Sequence, residues 1–278
     1  MVPVRIKLRQ TGDGRFGLIR LIGSKPQHRP MSVSAERSSP ALAVGSVAFL
    51  GLVGLLIGAV VGLIVISIAS AFIPITSDSP LTSALSLVGQ GIGLVGVAVV
   101  YLRFRDLPWS YLRISRPTLR DLGWAVAATV GLFAVLAGAS FLIDQLGLTA
   151  TEHSVSQQAE SNPALLLPLI PLSVLVTGPA EELLYRGVIQ TRLREVFGSA
   201  SAVAVAAVVF SLVHIPAYGA TSGLDPSLAT TLGILFLLGA SLGAAYEYTE
   251  NLVVPAVAHG VYNAVVFGSS YANAVGLV

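Results

Sequence analysis

The chain has 278 residues, of which 54% are hydrophobic and only 11% charged, and its mean hydropathy is +0.81. A soluble domain carries about 25% charged residues. The shortfall excludes an ordinary soluble enzyme, a disordered chain and a nucleic-acid binder, and leaves a polytopic membrane protein with the bilayer as solvent. The absence of cysteine removes disulfides, thiolate nucleophiles and cysteine-based metal sites.

Residues 1–40 hold eight of the sixteen Lys/Arg: Arg5, Lys7, Arg9, Arg15, Arg20, Lys25, Arg29 and Arg37. The stretch contains no long apolar run, so it does not read as a secretory signal. Two readings stay open: Met31 is the true start, or a basic cytoplasmic tail meets anionic lipid. From Ala41 the apolar stretches predict seven spanning helices, at about 41–73, 82–102, 121–143, 164–195, 199–215, 228–248 and 252–271. The fifth is cut short where Ile215-Pro216 interrupts it. Three leading spans (41–163) therefore precede a later block at 164–271.

Beyond the tail, Arg103, Arg105, Arg113, Arg116, Arg120, Arg186, Arg192 and Arg194 all fall on the same side of this arrangement. The connections 74–81, 144–163 and 216–227 carry no Lys or Arg, only Asp78, Asp144, Glu152, Glu160 and Asp225. The positive-inside rule then places the N-terminus in the cytoplasm and the C-terminus outside. The expected architecture is an all-α transmembrane bundle of about seven spans.

Gly91-Ile-Gly93-Leu-Val-Gly96 has the spacing of a dinucleotide-binding turn, but it lies inside an apolar span, where small residues let helices approach closely. Gly54, Gly58 and Gly62, and Gly239 with Gly243, carry the same packing signal. Ionisable side chains within the bilayer cost at least about 2.5–3.5 kcal/mol each, which makes them functional candidates. Three clusters stand out: Glu181-Glu182-Leu-Leu-Tyr-Arg186, Phe210-Ser-Leu-Val-His214 and His259-Gly-Val-Tyr-Asn263.

Glu182 and Arg186 are four apart and predict a neutralising ion pair on one helix face. Glu181 lies about 100° further round, free for general-base work. His214 can exchange protons or bind a metal. His259 and Asn263 share a face and can point at one oxygen, as an oxyanion site requires. The bland reading of each residue alone is interhelical hydrogen bonding; five such residues on three helices argue for one shared site. That set fits peptide hydrolysis.

The ordered trio resembles the motifs of the CPBP intramembrane proteases, the family of CAAX prenyl endopeptidases and bacteriocin-processing or immunity proteins. The resemblance covers about residues 164–270. It implies that Glu181 and His214 activate water, that His259 and Asn263 form the oxyanion site, and that Glu182, Arg186 and Phe210 support them. It implies an endopeptidase acting near the cytoplasmic leaflet, in contact with membrane lipid and with a membrane-associated or lipidated protein substrate, CAAX-type prenylated tails included. Metal use stays open: Glu181, His214 and His259 could ligate zinc, and metal-free hydrolysis uses the same residues. Two rivals are a non-catalytic immunity or scaffold protein of the same fold and a proton-coupled transporter. The transporter predicts buried charge in both halves, and the first three spans have none.

One geometric demand follows. Glu181 and His214 lie about fifteen residues from their cytoplasmic helix ends, roughly 22 Å at 1.5 Å per residue, whereas His259 is about half as deep. A protruding fourth helix or a tilt must close that gap, and a wet cavity, expected to open toward the cytoplasm, must reach the site.

Overall fold

Each leading helix starts where the sequence supplies a cap. Ser39 accepts from the Leu42 amide at 3.2 Å ahead of α1 (Pro40–Ser70). Ser79 does the same for Thr82 at 3.1 Å ahead of α2 (Pro80–Phe104). Thr118 and Asp121 close a reciprocal capping box at the head of α3 (Leu119–Gln145). Such caps satisfy amides that the first helical turn leaves orphaned. The computed structural model describes residues 7–10, 16–19, 39–219 and 226–277.

After α3 come a short helix α4 (Ser154–Ala159), a long composite helix α5 (Pro163–Phe197) and α6 (Ser199–Val213). A one-turn α7 (Ile215–Gly219), α8 (Pro226–Thr249) and α9 (Val253–Ala274) complete the bundle. Among the described residues, six helical segments are long and apolar enough to cross a membrane: α1, α2, α3, α5, α6 with α7, and α8. The seventh expected span exists as a helix, α9, but does not stand among those six. His259, Asn263, Ser269, Ser270 and Asn273 make it more polar than the rest. Outward-facing Leu42, Phe49 and Leu63 on α1 and Val126, Val130 and Phe141 on α3 are each more than half exposed, the surface that lipid covers. The protein is an integral membrane protein.

The all-α expectation holds for the compact unit Ser38–Val278. The separate unit Met1–Arg37 carries an antiparallel pair, β1 (Lys7–Gln10) and β2 (Phe16–Ile19), in register Lys7↔Ile19 to Gln10↔Phe16. The rest of the expected basic tail, Met31 included, and Asp225 lie outside the described residues.

The glycine rows act as packing surfaces. A side chain at Gly89 would strike the backbone of Gly62, and one at Gly93 the backbone of Gly58, so α1 and α2 touch backbone to backbone. Gly91 faces Val176 of α5, whereas Gly96 has open space beside it. Within α5 the backbone widens into π-helical turns at Ser173–Thr177 and Leu183–Gln190, flanking the α-helical turn Gly178–Glu182. Pro179 lacks an amide hydrogen and crowds the carbonyl four residues back; widened turns relieve that conflict and are frequent at functional sites.

Candidate active site

Three helices deliver the expected side chains. α5 carries Glu181, Glu182 and Arg186; α6 carries Phe210 and ends at His214; α9 carries His259 and Asn263. Glu182 and Arg186 form the expected i,i+4 ion pair at 2.8 Å, with Glu182 0% and Arg186 1% exposed. A pair this deep needs its remaining polar atoms satisfied. The second guanidinium nitrogen donates to the Gly239 carbonyl at 2.9 Å, and the guanidinium carbon lies 4.6 Å from the Phe210 ring centroid.

Glu182 has a second partner that the sequence did not announce. His259 Nδ1 lies 2.8 Å from the same Oε1 that receives Arg186. The carboxylate accepts, so Nδ1 carries the hydrogen and the neutral ring turns the Nε2 lone pair the other way. That Nε2 is 4.0 Å from Glu181 Oε2. The helix seam explains the contact: a side chain at Gly178 would meet the Ala256 carbonyl and the Gly260 amide, and one at Gly260 would lie 2.8 Å from the Ser173 carbonyl. With no side chain between them, α5 and α9 approach until His259 reaches Glu182.

For Glu181 the depth gap closes through protrusion of α5. The empty side of Gly187 faces Leu252, the residue just before α9. α9 therefore begins level with Gly187, and α5 runs on to Phe197 beyond it.

Phe210 is the hub of the site. Its ring centroid lies 4.5 Å from the His214 ring, 5.9 Å from the His259 ring and 5.2 Å from the Tyr185 ring. His214 Nδ1 donates to the Phe210 carbonyl at 2.7 Å, leaving Nε2 as the lone pair of the neutral ring. Glu181, His214, His259 and Asn263 all line one cavity of about 840 Å³. Glu181 Oε2 and the Thr177 hydroxyl are buried there with no protein hydrogen-bond partner among the described residues.

Sequence reasoning missed Thr177 and His153. Thr177 is four residues before Glu181, so the helical period alone could have placed it on the same face. His153 gave no such signal: it sits in the connection before α4, caps that helix by accepting from the Val155 amide at 3.1 Å, and lines the cavity beside Tyr218. Burial, with His214 a lesser cause, pushes its pKa down to about 4. Among the described residues, no three His, Asp or Glu groups are arranged to hold a metal ion. Glu182 and the Nδ1 face of His259 are turned toward each other and Arg186.

Residues 163–265 match the family described as Type II CAAX prenyl endopeptidase Rce1-like. No curated protein and no solved structure matches the chain. The match spans α5 to most of α9 and contains all three motifs; residues 163–265 of this multi-pass helical membrane protein are similar to the Rce1-like CAAX protease family.

Proposed function

We propose that the protein is an intramembrane endopeptidase in which Glu181 and His214 activate water against a peptide carbonyl. The observation that carries this reading is the shared cavity: one carboxylate, two imidazoles and an amide from three helices face the same space, beside a buried Arg186–Glu182–His259 chain that orients one of them. Glu181 takes a proton from water as its oxygen attacks the carbonyl carbon. Asn263 donates its side-chain amide to the oxygen that becomes negative. His259 joins it only as the imidazolium, because its neutral form turns a lone pair toward the cavity. The proton taken from water passes to the leaving nitrogen as the carbon–nitrogen bond breaks. Glu182, Arg186 and Phe210 hold these groups in place.

In this reading α9 is a seventh span, the N-terminus is cytoplasmic, and the substrate is a membrane-associated peptide. Zinc dependence is tested by metal analysis of purified protein beside a chelator-controlled cleavage assay. The roles are tested by Glu181→Ala and His214→Ala, each expected to lower peptide cleavage about 10²–10⁴-fold, as loss of a general base does. Both variants should remain folded in the membrane. Cleavage retained in either would overturn the assignment, and a cellular phenotype without peptide release would favour the scaffold reading.

A further inference from the structure

The residues that line this cavity gather toward one end of the bundle. From Glu181 and His214 it extends to Ser77 and Thr82 between α1 and α2, and to Thr151, His153 and Ser156 between α3 and α5. Among the described residues, none from the arginine-bearing connections 105–118, 191–198 or 247–252 lines it. Those connections instead close their end. Tyr246 donates to the Leu112 carbonyl at 3.2 Å, the Leu252 amide to the Arg113 carbonyl at 3.0 Å, and the Ser115 amide to Asn251 Oδ1 at 3.3 Å. Beneath them Leu112, Gln190, Leu193 and Tyr246 are all 0% exposed.

The positive-inside rule makes the closed end cytoplasmic, because Arg103, Arg105, Arg113, Arg116, Arg120, Arg192 and Arg194 lie there. We infer that the cavity is served from the opposite, outer face, and that its substrate is an apolar peptide segment presented at the outer leaflet with basic residues at its water-exposed flank. This inference rests on the endopeptidase reading above and departs from the cytoplasmic opening expected from the sequence. Exposed Asp78, Glu152 and Glu160 stand at the open end, and no Lys or Arg occurs in the connections there. An acidic rim steers a cationic flank toward the cavity and repels an anionic one.

The chain has no cysteine, so single thiols report access directly. In intact spheroplasts, a small membrane-impermeant methanethiosulfonate should modify Ser156→Cys at the mouth and Thr177→Cys inside the cavity. Ser110→Cys, exposed at the arginine end, should react only after permeabilisation. The reverse pattern overturns the inference whether or not cleavage is detected. In right-side-out vesicles, an internally quenched apolar peptide with a lysine flank should be cut when added outside, and faster than its glutamate-flanked twin. Cutting confined to inverted vesicles, or preference for the glutamate twin, would also overturn it. Absence of any Glu181-dependent cleavage in detergent would sink the endopeptidase reading instead, leaving the labelling pattern to decide the side of access.

Discussion

The two ends of the bundle are tied by different chemistry. At the arginine end, ions take part: Arg194 meets Glu247 at 3.5 Å, Arg113 meets Glu250 at 3.8 Å, and Gln190 donates to Glu247 at 3.0 Å. The non-glycine residues with positive φ among those described, Asp106, Arg113 and Glu250, are all at this end. That conformation costs an L-residue roughly 1–2 kcal/mol, so the surrounding contacts hold the turns in place. At the other end the ties are neutral: Thr151 bonds Thr231 and Ser227 at 2.8 and 2.6 Å, and Asn162 donates to the Asp78 carbonyl at 2.8 Å. One end is tied across its connections by charged and backbone contacts; the other carries polar residues that line the cavity. The difference teaches that charge ties the arginine end together, whereas neutral polar groups tie the end where the cavity-lining residues gather.

The sharpest way to break this picture is at the junction between the arginine end and the cavity. Arg186→Leu strips Glu182 of its cation, and breaking a buried pair typically costs about 3–5 kcal/mol. Thermal unfolding in detergent should show that loss together with the loss of cleavage. Gly260→Ala would drive a methyl into the Ser173 carbonyl and push α9 off α5. Overpacking of this kind costs about 1–3 kcal/mol, and cleavage should fall more than stability does because His259 is carried away from Glu182.

Two smaller effects separate the ends. Tyr246→Phe removes the hydroxyl bonds to Leu112 and Thr191; about 1 kcal/mol of stability should go, with the cleavage rate per folded molecule unchanged. His153→Asn acts at the mouth. With its pKa lowered from 6.5 to about 4, the native imidazole is neutral where the unfolded one binds a proton. Its stability contribution is therefore complete above pH 6.5 and lost as pH falls from 6.5 toward 4. The asparagine variant, which keeps a capping side chain, should match wild type at pH 7.5 and lose less stability on acidification. Melting temperatures measured across that range check it.

The spans were legible because a bilayer demands long apolar runs. The Glu182–Arg186 pair was legible from helical spacing alone. The His259–Glu182 bond was not, because it depends on two glycines, Gly178 and Gly260, meeting across helices that are far apart in sequence. The end of the bundle toward which the cavity-lining residues gather was equally hidden: it is a property of how α1, α2, α3 and α8 stand around α5, and no local pattern encodes it. His153 escaped notice because a lone histidine in a connection reads as an exposed surface residue until tertiary structure covers it.

The seam between α5 and α9 has a consequence for how freely this protein can vary. Main chain rests on main chain there, so the spacing that brings His259 to Glu182 is indifferent to the identity of the residues that face the lipid. Wholesale exchange of Leu, Val and Phe on the outer surfaces of α1 and α3 should leave the reacting groups where they are, while a single added carbon atom at Gly178 would not be tolerated.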